Sequence, residues 1–238
     1  MIRRLCFFVA LLIGFAYSSR AQHLYYKNPD RAVVSQFRDS ARRVMLVRID
    51  SNDILSKQFG YILKFYPKML VKKIIVSYNT SSKIVFTRPK FSALFKMPEE
   101  REYKVYFSRQ THSTLDSVML ENLSFNAQLG LIANQVSQIE DFSTGGFFDF
   151  IAWYFRRLTR RGRNKTYTNN EEKTLEVGLG YQLISLNREL EKNLRIENWM
   201  NTNGYTRYAR HMRNQAMRPE LIINFINDLP FYVGKQYK

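Results

Sequence analysis

The spacing of hydrophobic and polar positions changes near residue 122. Before that point, short β-rich runs predict strands over 44–49, 70–78, 83–87 and 103–108, with a turn at 79–82. Two helices are predicted in the same half, over about 30–43 and 53–66. The first half is therefore expected to form a small β-sheet with N-terminal helices.

After residue 122 the pattern is helical. Apolar residues recur at steps of four and three along one predicted helix, which Ser143, Thr144 and two glycines then end. These residues are Phe125, Leu129, Ile132, Val136 and Ile139. A second, aromatic-rich helix is predicted over 146–161. The fold class that follows is α+β, with a small sheet ahead of a helical half.

A third helix is predicted to begin at Thr168, because Thr168 and Glu171 have the spacing of a capping box. Its apolar stripe consists of Leu175, Leu179, Leu186, Leu190 and Leu194. Gly178 and Gly180 fall inside this pattern, where they are expected to allow close helix packing. A last short helix is expected to start at Pro219 and to stop at Pro230.

The N-terminus has the layout of a secretory signal peptide. Arg3 and Arg4 precede the apolar run 5–17, and small residues at 19 and 21 predict cleavage before Gln22. The run is shorter than the roughly 20 residues that a membrane-spanning helix needs. We therefore expect residues 1–21 to be removed, leaving 22–238 as one exported domain in the periplasm or outside the cell, with a mixed part at 22–122 and a helical part at 123–238.

The charge is strongly positive, with 37 basic against 20 acidic residues and a formal net charge of +17. Loss of the signal segment removes three arginines and the single cysteine, Cys6, which leaves +14 and excludes disulfide and thiol chemistry. Such a charge favours anionic partners. Lipid headgroups and acidic glycans are preferred over nucleic acid, which is scarce outside the cell.

The segments 126–138 (NAQLGLIANQVSQ) and 176–183 (EVGLGYQL) resemble zincin-like proteins of Bacteroidota, of the gluzincin type. In those relatives the first segment carries the zinc-binding motif H-E-x-x-H, and residues 134–138 occupy its place here. The resemblance implies a zincin-like core for the helical half. It also implies that a metallopeptidase site once stood at these positions.

The residues that the chemistry requires are absent. Two histidines at i and i+4 aim at one metal ion, and the glutamate between them acts as the general base. Here those positions are Asn134, Gln138 and Gln135, which are neutral amides. The resemblance places the usual third-ligand pattern, E-x-x-x-D, on Tyr167 and Glu171. A capping role for Glu171 after Thr168 is the simpler interpretation of that residue. No metal and no cofactor is expected.

A stretch of aromatic and basic residues allows two interpretations. Phe147, Ile151, Tyr154, Phe155 and Leu158 share one helical face, and a basic run follows. This run comprises Arg156, Arg157, Arg160, Arg161, Arg163 and Lys165. One interpretation is an interfacial helix on an anionic surface. The other, which Asp149 favours, is a core helix that leads into a solvated basic loop.

These observations predict a non-catalytic exported protein, a pseudo-metallopeptidase with a binding or scaffold role in the bacterial envelope. Two alternatives remain open. One is a peptidase-like hydrolase with a non-standard metal arrangement. The other is a basic module that binds anionic surfaces. Nucleophile-based catalysis has no support, since the chain has neither a G-x-S-x-G motif nor histidines at useful spacing.

Overall fold

A computed structural model describes residues 28–37, 54–79, 84–109, 115–143, 145–194, 217–229 and 232. The protein has an α+β fold, as the sequence predicts. Several predicted features lie outside the described residues. These are the signal segment 1–21, the strand at 44–49, most of the turn at 79–82, and Pro230.

Ten regular elements follow one another along the described chain. The N-terminal half contains helices α1 (Arg31–Ser35) and α2 (Ile54–Leu63), then strands β1 (Lys73–Asn79), β2 (Val85–Pro89) and β3 (Glu102–Ser108). The C-terminal half contains α3 (Phe125–Ser143), α4 (Phe147–Leu158), α5 (Arg160–Glu176), α6 (Gly180–Asn193) and α7 (Pro219–Asp228). Short 3₁₀ turns occupy 67–71, 91–95, 116–118 and 120–122.

The three strands form one sheet in the order β1-β3-β2. β1 runs parallel to β3, with Val76 opposite Val105, whereas β2 runs antiparallel to β3, with Thr87 opposite Val105. Side chains of Ile74, Val76 and Val105 are fully buried. The three strands lie within two or three residues of the predicted ranges, because period-two runs of β-branched and aromatic residues mark them clearly.

Helix α3 lies at the centre of the core. Leu129, Ile132, Val136 and Ile139 are fully buried, so its predicted apolar face is confirmed. It contacts β2, α2, α5 and α6. A Cβ added at Gly130 would lie 2.3 Å from the backbone oxygen of Gln182, so this glycine permits the close crossing of α3 and α6.

The prediction of one continuous helix that starts at Thr168 is wrong about the start and about the continuity, although its last apolar residue, Leu194, does lie at the end of α6. α5 begins at Arg160, where the side chain of Thr159 caps it by accepting a hydrogen bond from the Gly162 N–H at 3.0 Å. Thr168 therefore lies inside the helix, and Glu171 is not its capping residue. The predicted helix is also interrupted, because Gly178 has a φ of 92°, a left-handed conformation that ends helices.

The two glycines near this break have different roles. Gly178 forms the turn between α5 and α6 instead of packing within a helix. Gly180 does allow close packing, because an added Cβ would lie 2.9 Å from side-chain atoms of Ile226 and Leu175. The last helix, α7, starts at Pro219 as predicted.

None of the helices in the described ranges is long and apolar enough to cross a membrane.

Candidate functional site

Gln135 and Gln138 of α3 both bind strand β2 at Thr87. The Gln135 Oε1 accepts a hydrogen bond from the Thr87 Oγ1 at 2.8 Å. The Gln138 Nε2 donates to the Thr87 backbone oxygen at 3.4 Å. All three residues are buried. At the positions that the resemblance assigns to the general base and one zinc ligand, the side chains therefore join a helix to the sheet.

Asn134 and Tyr167 are half-buried on different helices. Asn134 shares a face of α3 with Gln138, four residues away. Tyr167 lies on α5, three residues before Asn170, whose backbone oxygen accepts a hydrogen bond from the Ser137 Oγ at 2.8 Å. Each of the two positions is thus about one helical turn from the point where α3 and α5 meet.

Glu171 is fully buried on α5 and faces other elements. Its carboxylate accepts hydrogen bonds from the Asn187 Nδ2 on α6 and from the backbone N–H of Met217, next to α7. Burial raises the pKa of this carboxyl group from 4.5 to about 8, although the two hydrogen bonds oppose the rise. Glu171 therefore connects α5, α6 and the segment before α7, a role that the sequence analysis missed.

Buried polar contacts continue along α3 and α5. The Tyr66 hydroxyl donates to the Ala133 backbone oxygen at 3.3 Å and lies 3.4 Å from the Thr174 Oγ1. Burial raises the pKa of Tyr66 well above its ordinary value, so the phenol stays neutral. Neither side-chain amide atom of buried Asn170 has a hydrogen-bond partner among the described residues. The contacts that the described residues make with the Glu171 carboxylate are hydrogen bonds from neutral donors, the Asn187 side-chain amide and the Met217 backbone N–H.

Helix α4 exposes the aromatic face that the sequence predicts. On the predicted face, Phe155 is 61% exposed and Tyr154 and Leu158 are each 58% exposed, whereas Ile151 is half-buried. Phe148, which the predicted face does not include, is 82% exposed. Phe147 is exposed as well. The interpretation of α4 as a core helix on this face is therefore wrong, and the basic segment that follows it is helical, not a loop.

Asp149 has a local role that explains its position in the aromatic run. Its Oδ2 accepts a hydrogen bond from the Gly146 N–H at 2.9 Å, at the first turn of α4. Carboxylates are favourable at helix N-termini. The residue that favoured a core helix in the sequence is therefore an exposed capping group.

A different face of α4 holds it to the protein. Phe150 and Trp153 are buried, and the Trp153 indole N–H donates to the Asp141 Oδ2 of α3 at 3.0 Å. The buried guanidinium of Arg101 lies over the Phe150 ring at 5.2 Å and donates to the backbone oxygens of Phe142 and Gly145. The exposed aromatic residues thus lie on a helix that is held in place by the contacts of its other face.

The basic residues after the aromatic face belong to the end of α4 and the first turns of α5. Arg156, Arg161 and Lys165 are exposed. The structure describes the backbone at Arg157, Arg160 and Arg163, which lie in the same two helices. A Cβ at Gly162 would lie 1.9 Å from the Arg156 backbone oxygen, so this glycine brings α5 tightly against the end of α4.

Two positioning residues escaped the sequence analysis. Thr87 carries no pattern of its own in a five-residue strand, so nothing marks it as the partner of two glutamines. Arg101 stands beside the predicted strand 103–108 as one of many basic residues. Only its burial distinguishes it, and burial of an arginine has no local sequence signal.

Across the residues that the structure describes, no group of three His, Cys, Asp or Glu side chains is placed to hold a metal ion. His23, His112 and His211 all lie outside those residues. Comparisons with protein-family models, curated proteins and solved structures found no match to this chain.

Proposed function

We propose that this chain is a non-catalytic, exported binding or scaffold protein of the bacterial envelope, with a zincin-like fold whose metal site is lost. The observation that carries the proposal is the attachment of both glutamines to Thr87. Side chains that serve as structural hydrogen-bonding groups are not available as ligands or as a base. The proposal therefore replaces a reactive site by a contact between helix and sheet.

The chemistry of the amides supports the same proposal. An amide is a poor zinc ligand, and Gln135 cannot take a proton from water at ordinary pH. Turning either glutamine towards a metal ion would leave buried polar groups of Thr87 unpaired, at about 1–3 kcal/mol for each group. Both the identity and the surroundings of these side chains therefore act against catalysis.

The main test restores the ligands. In Asn134→His/Gln138→His/Tyr167→Glu, two imidazoles lie one helical turn apart and a carboxylate takes the third position that the resemblance implies. We expect calorimetry to detect tight zinc binding at one-to-one stoichiometry, since catalytic zinc sites use three protein ligands. Activity would also need Gln135→Glu and an intact supporting shell.

A matched control keeps the histidine count and the helix. In Asn134→His/Gln135→His/Tyr167→Glu the two imidazoles are adjacent in sequence and point in different directions, so no tight zinc binding is expected. Absence of zinc binding in the first variant would overturn the zincin-like ancestry. Stoichiometric zinc or zinc-dependent proteolysis in the unmodified protein would instead favour the alternative, a hydrolase with a non-standard metal arrangement.

Export is tested separately. Protein recovered from outside the cytoplasm of an exporting host should have the intact mass of a chain that begins at Gln22. Recovery of a chain that retains residues 1–21 would contradict the predicted cleavage.

A further inference from the structure

The outer face of α4 carries five exposed large hydrophobic side chains, whereas α7 exposes two. We define the α4 face by its exposed residues Phe147, Phe148, Tyr154, Phe155 and Leu158. Tyr154 and Phe155 pack edge to face, as do Phe147 and Phe148, so the rings form two neighbouring clusters. Large contiguous apolar patches on a protein surface mark interaction sites.

The α4 face is separate from the contacts that fold the protein. Helix α4 already buries Phe150 and Trp153 against α3 and Arg101. If α4 were rotated about its axis so that Tyr154 and Phe155 faced the core, Phe150 and Trp153 would become exposed instead. The α4 face is therefore not needed to hold the helix against the core, because Phe150 and Trp153 already do so.

Exposed apolar groups extend beyond α4. The 3₁₀ turn at 91–95 contacts α4, and Phe95 and Met97 at its end are strongly exposed. Exposed Glu99 and Glu100 follow them. Acidic residues thus follow the exposed apolar residues of this turn in the chain, whereas basic residues follow those of α4.

The charges at the C-terminal end of α4 favour an anionic partner. Arg161 and Lys165 are exposed and lie one turn apart at the start of α5, and Arg161 is three residues after Leu158. An apolar face beside a basic cluster is typical of segments that lie in the interface of an anionic membrane. A second copy of this chain is disfavoured, because each copy carries a formal net charge of +14 once residues 1–21 are removed, and like charges repel.

We propose that the α4 face docks on an anionic lipid surface. Phe155 and Leu158 enter the boundary between headgroups and acyl chains, while Arg161 and Lys165 contact lipid phosphates. The docking is peripheral, and it does not depend on whether a zinc site once existed. Failure of the zinc test and failure of this proposal are therefore independent results.

The first experiment measures binding to vesicles. The protein is recovered after export, and its mass is checked so that the apolar segment 5–17 is known to be absent. It is then sedimented with vesicles of phosphatidylcholine, either alone or mixed with phosphatidylglycerol. We expect binding to the mixed vesicles only, weakening as salt is added because screening reduces the attraction. Binding that is equal for the two vesicle types would overturn the proposal.

Two pairs of variants separate the apolar and the charged contributions. Phe155→Ser/Leu158→Ser should lower the vesicle partition coefficient by at least about 10-fold. Its control, Leu221→Ser/Phe225→Ser, removes the same two residue types from the exposed side of α7 and should leave binding unchanged.

The charge pair is matched in the same way. Arg161→Gln/Lys165→Gln should lower binding to mixed vesicles by about 25-fold, at about five-fold for each basic residue near an anionic surface. Arg188→Gln/Lys192→Gln removes the same residue types at the same spacing from exposed positions of α6 and should have no effect. Equal losses in test and control variants would overturn the proposal, because general charge rather than the α4 face would then govern binding.

A third measurement reports insertion directly. Phe155→Trp adds an indole on the α4 face to the native Trp153 and Trp199. Its emission, taken as the difference from that of the unmodified protein, should shift to the blue on mixed vesicles and be quenched by brominated lipid acyl chains. Sedimentation velocity tests the competing occupant. The unmodified protein could form a dimer that Phe155→Ser/Leu158→Ser dissociates, and could fail to bind mixed vesicles. That result would assign the α4 face to a second copy of the chain and overturn the lipid proposal.

Discussion

The interior around α3 and the outer face of α4 use residues in opposite ways. In the interior, polar side chains such as Gln135, Gln138 and Glu171 are buried and hydrogen-bonded. On α4, aromatic side chains such as Phe148 and Phe155 are exposed. Around α3, polar side chains make contacts inside the protein. On α4, apolar side chains face the solvent.

The contrast shows what helical spacing does and does not determine. Spacing identifies which residues share a face, and it does so correctly for both helices. Whether that face is buried depends on the neighbouring elements. Helix α4 has two apolar faces, and the buried one carries Phe150, which contacts Arg101, and Trp153, which donates a hydrogen bond to Asp141.

The largest expected effect concerns Glu171 in the interior. Its pKa of about 8 when folded exceeds the ordinary 4.5, so the unfolded chain releases the proton first as pH rises. The free energy of unfolding should therefore fall between about pH 4.5 and about pH 8, by on the order of 4 kcal/mol. Urea unfolding across this range measures the change.

The Glu171→Gln variant should flatten this pH dependence, because glutamine does not titrate. Glu121→Gln provides the control, since Glu121 is an exposed acid in a 3₁₀ turn, and it should leave the slope unchanged. A Glu171→Gln protein with the same slope as the unmodified protein would show that other groups cause it.

The next effect compares the two faces of α4 directly. Phe150→Ala removes a buried ring that packs under Arg101, and we expect a loss of about 3 kcal/mol in the free energy of unfolding. Phe155→Ala removes an exposed ring and should change it by less than about 0.5 kcal/mol. Thermal and urea unfolding measure both variants. A similar loss in the two would mean that the outer face is covered in the folded protein.

A smaller effect is expected where α3 crosses α6. Gly130→Ala places a methyl group 2.3 Å from the Gln182 backbone oxygen, so the helices must separate, at a cost of about 2 kcal/mol. Gly146→Ala is the control, since its Cβ would lie 3.8 Å from the nearest atom and only the N-cap preference changes, by less than about 1 kcal/mol. Equal losses of unfolding free energy in the two variants would show that α3 and α6 do not need a glycine at position 130 to pack closely.

The sequence predicts α2, α3 and the three strands because their apolar positions repeat at a clear period. It fails at Thr168, where a capping-box spacing stands inside a helix that Thr159 starts. A capping-box spacing marks the start of a helix only where no earlier residue has already started it. The break at Gly178 was also missed, since leucines at helical spacing continue on both sides of a residue whose φ is 92°.

The candidate site was less predictable than the fold. The sequence places Gln135 and Gln138 on neighbouring positions of one helix, but their shared partner Thr87 lies about 50 residues earlier and depends on the packing of α3 against β2. The buried side of α4 likewise includes a long-range contact, between Phe150 and Arg101, which lies about 50 residues earlier in the chain. Long-range pairs of this kind leave no periodic signal.

The smallest expected effect tests the contact between Thr87 and Gln135. Thr87→Val removes the hydroxyl that donates to the Gln135 Oε1 and leaves a buried acceptor unpaired, at about 1–2 kcal/mol. Gln135→Met alone should cost a similar amount, because it leaves the hydroxyl unpaired. The double variant should cost less than the sum of the two, since it leaves neither group of this pair without a partner. Urea unfolding of all four proteins gives the coupling energy. Strictly additive losses would show that the glutamine does not serve as a structural partner of β2, and would weaken the case against a reactive site on α3.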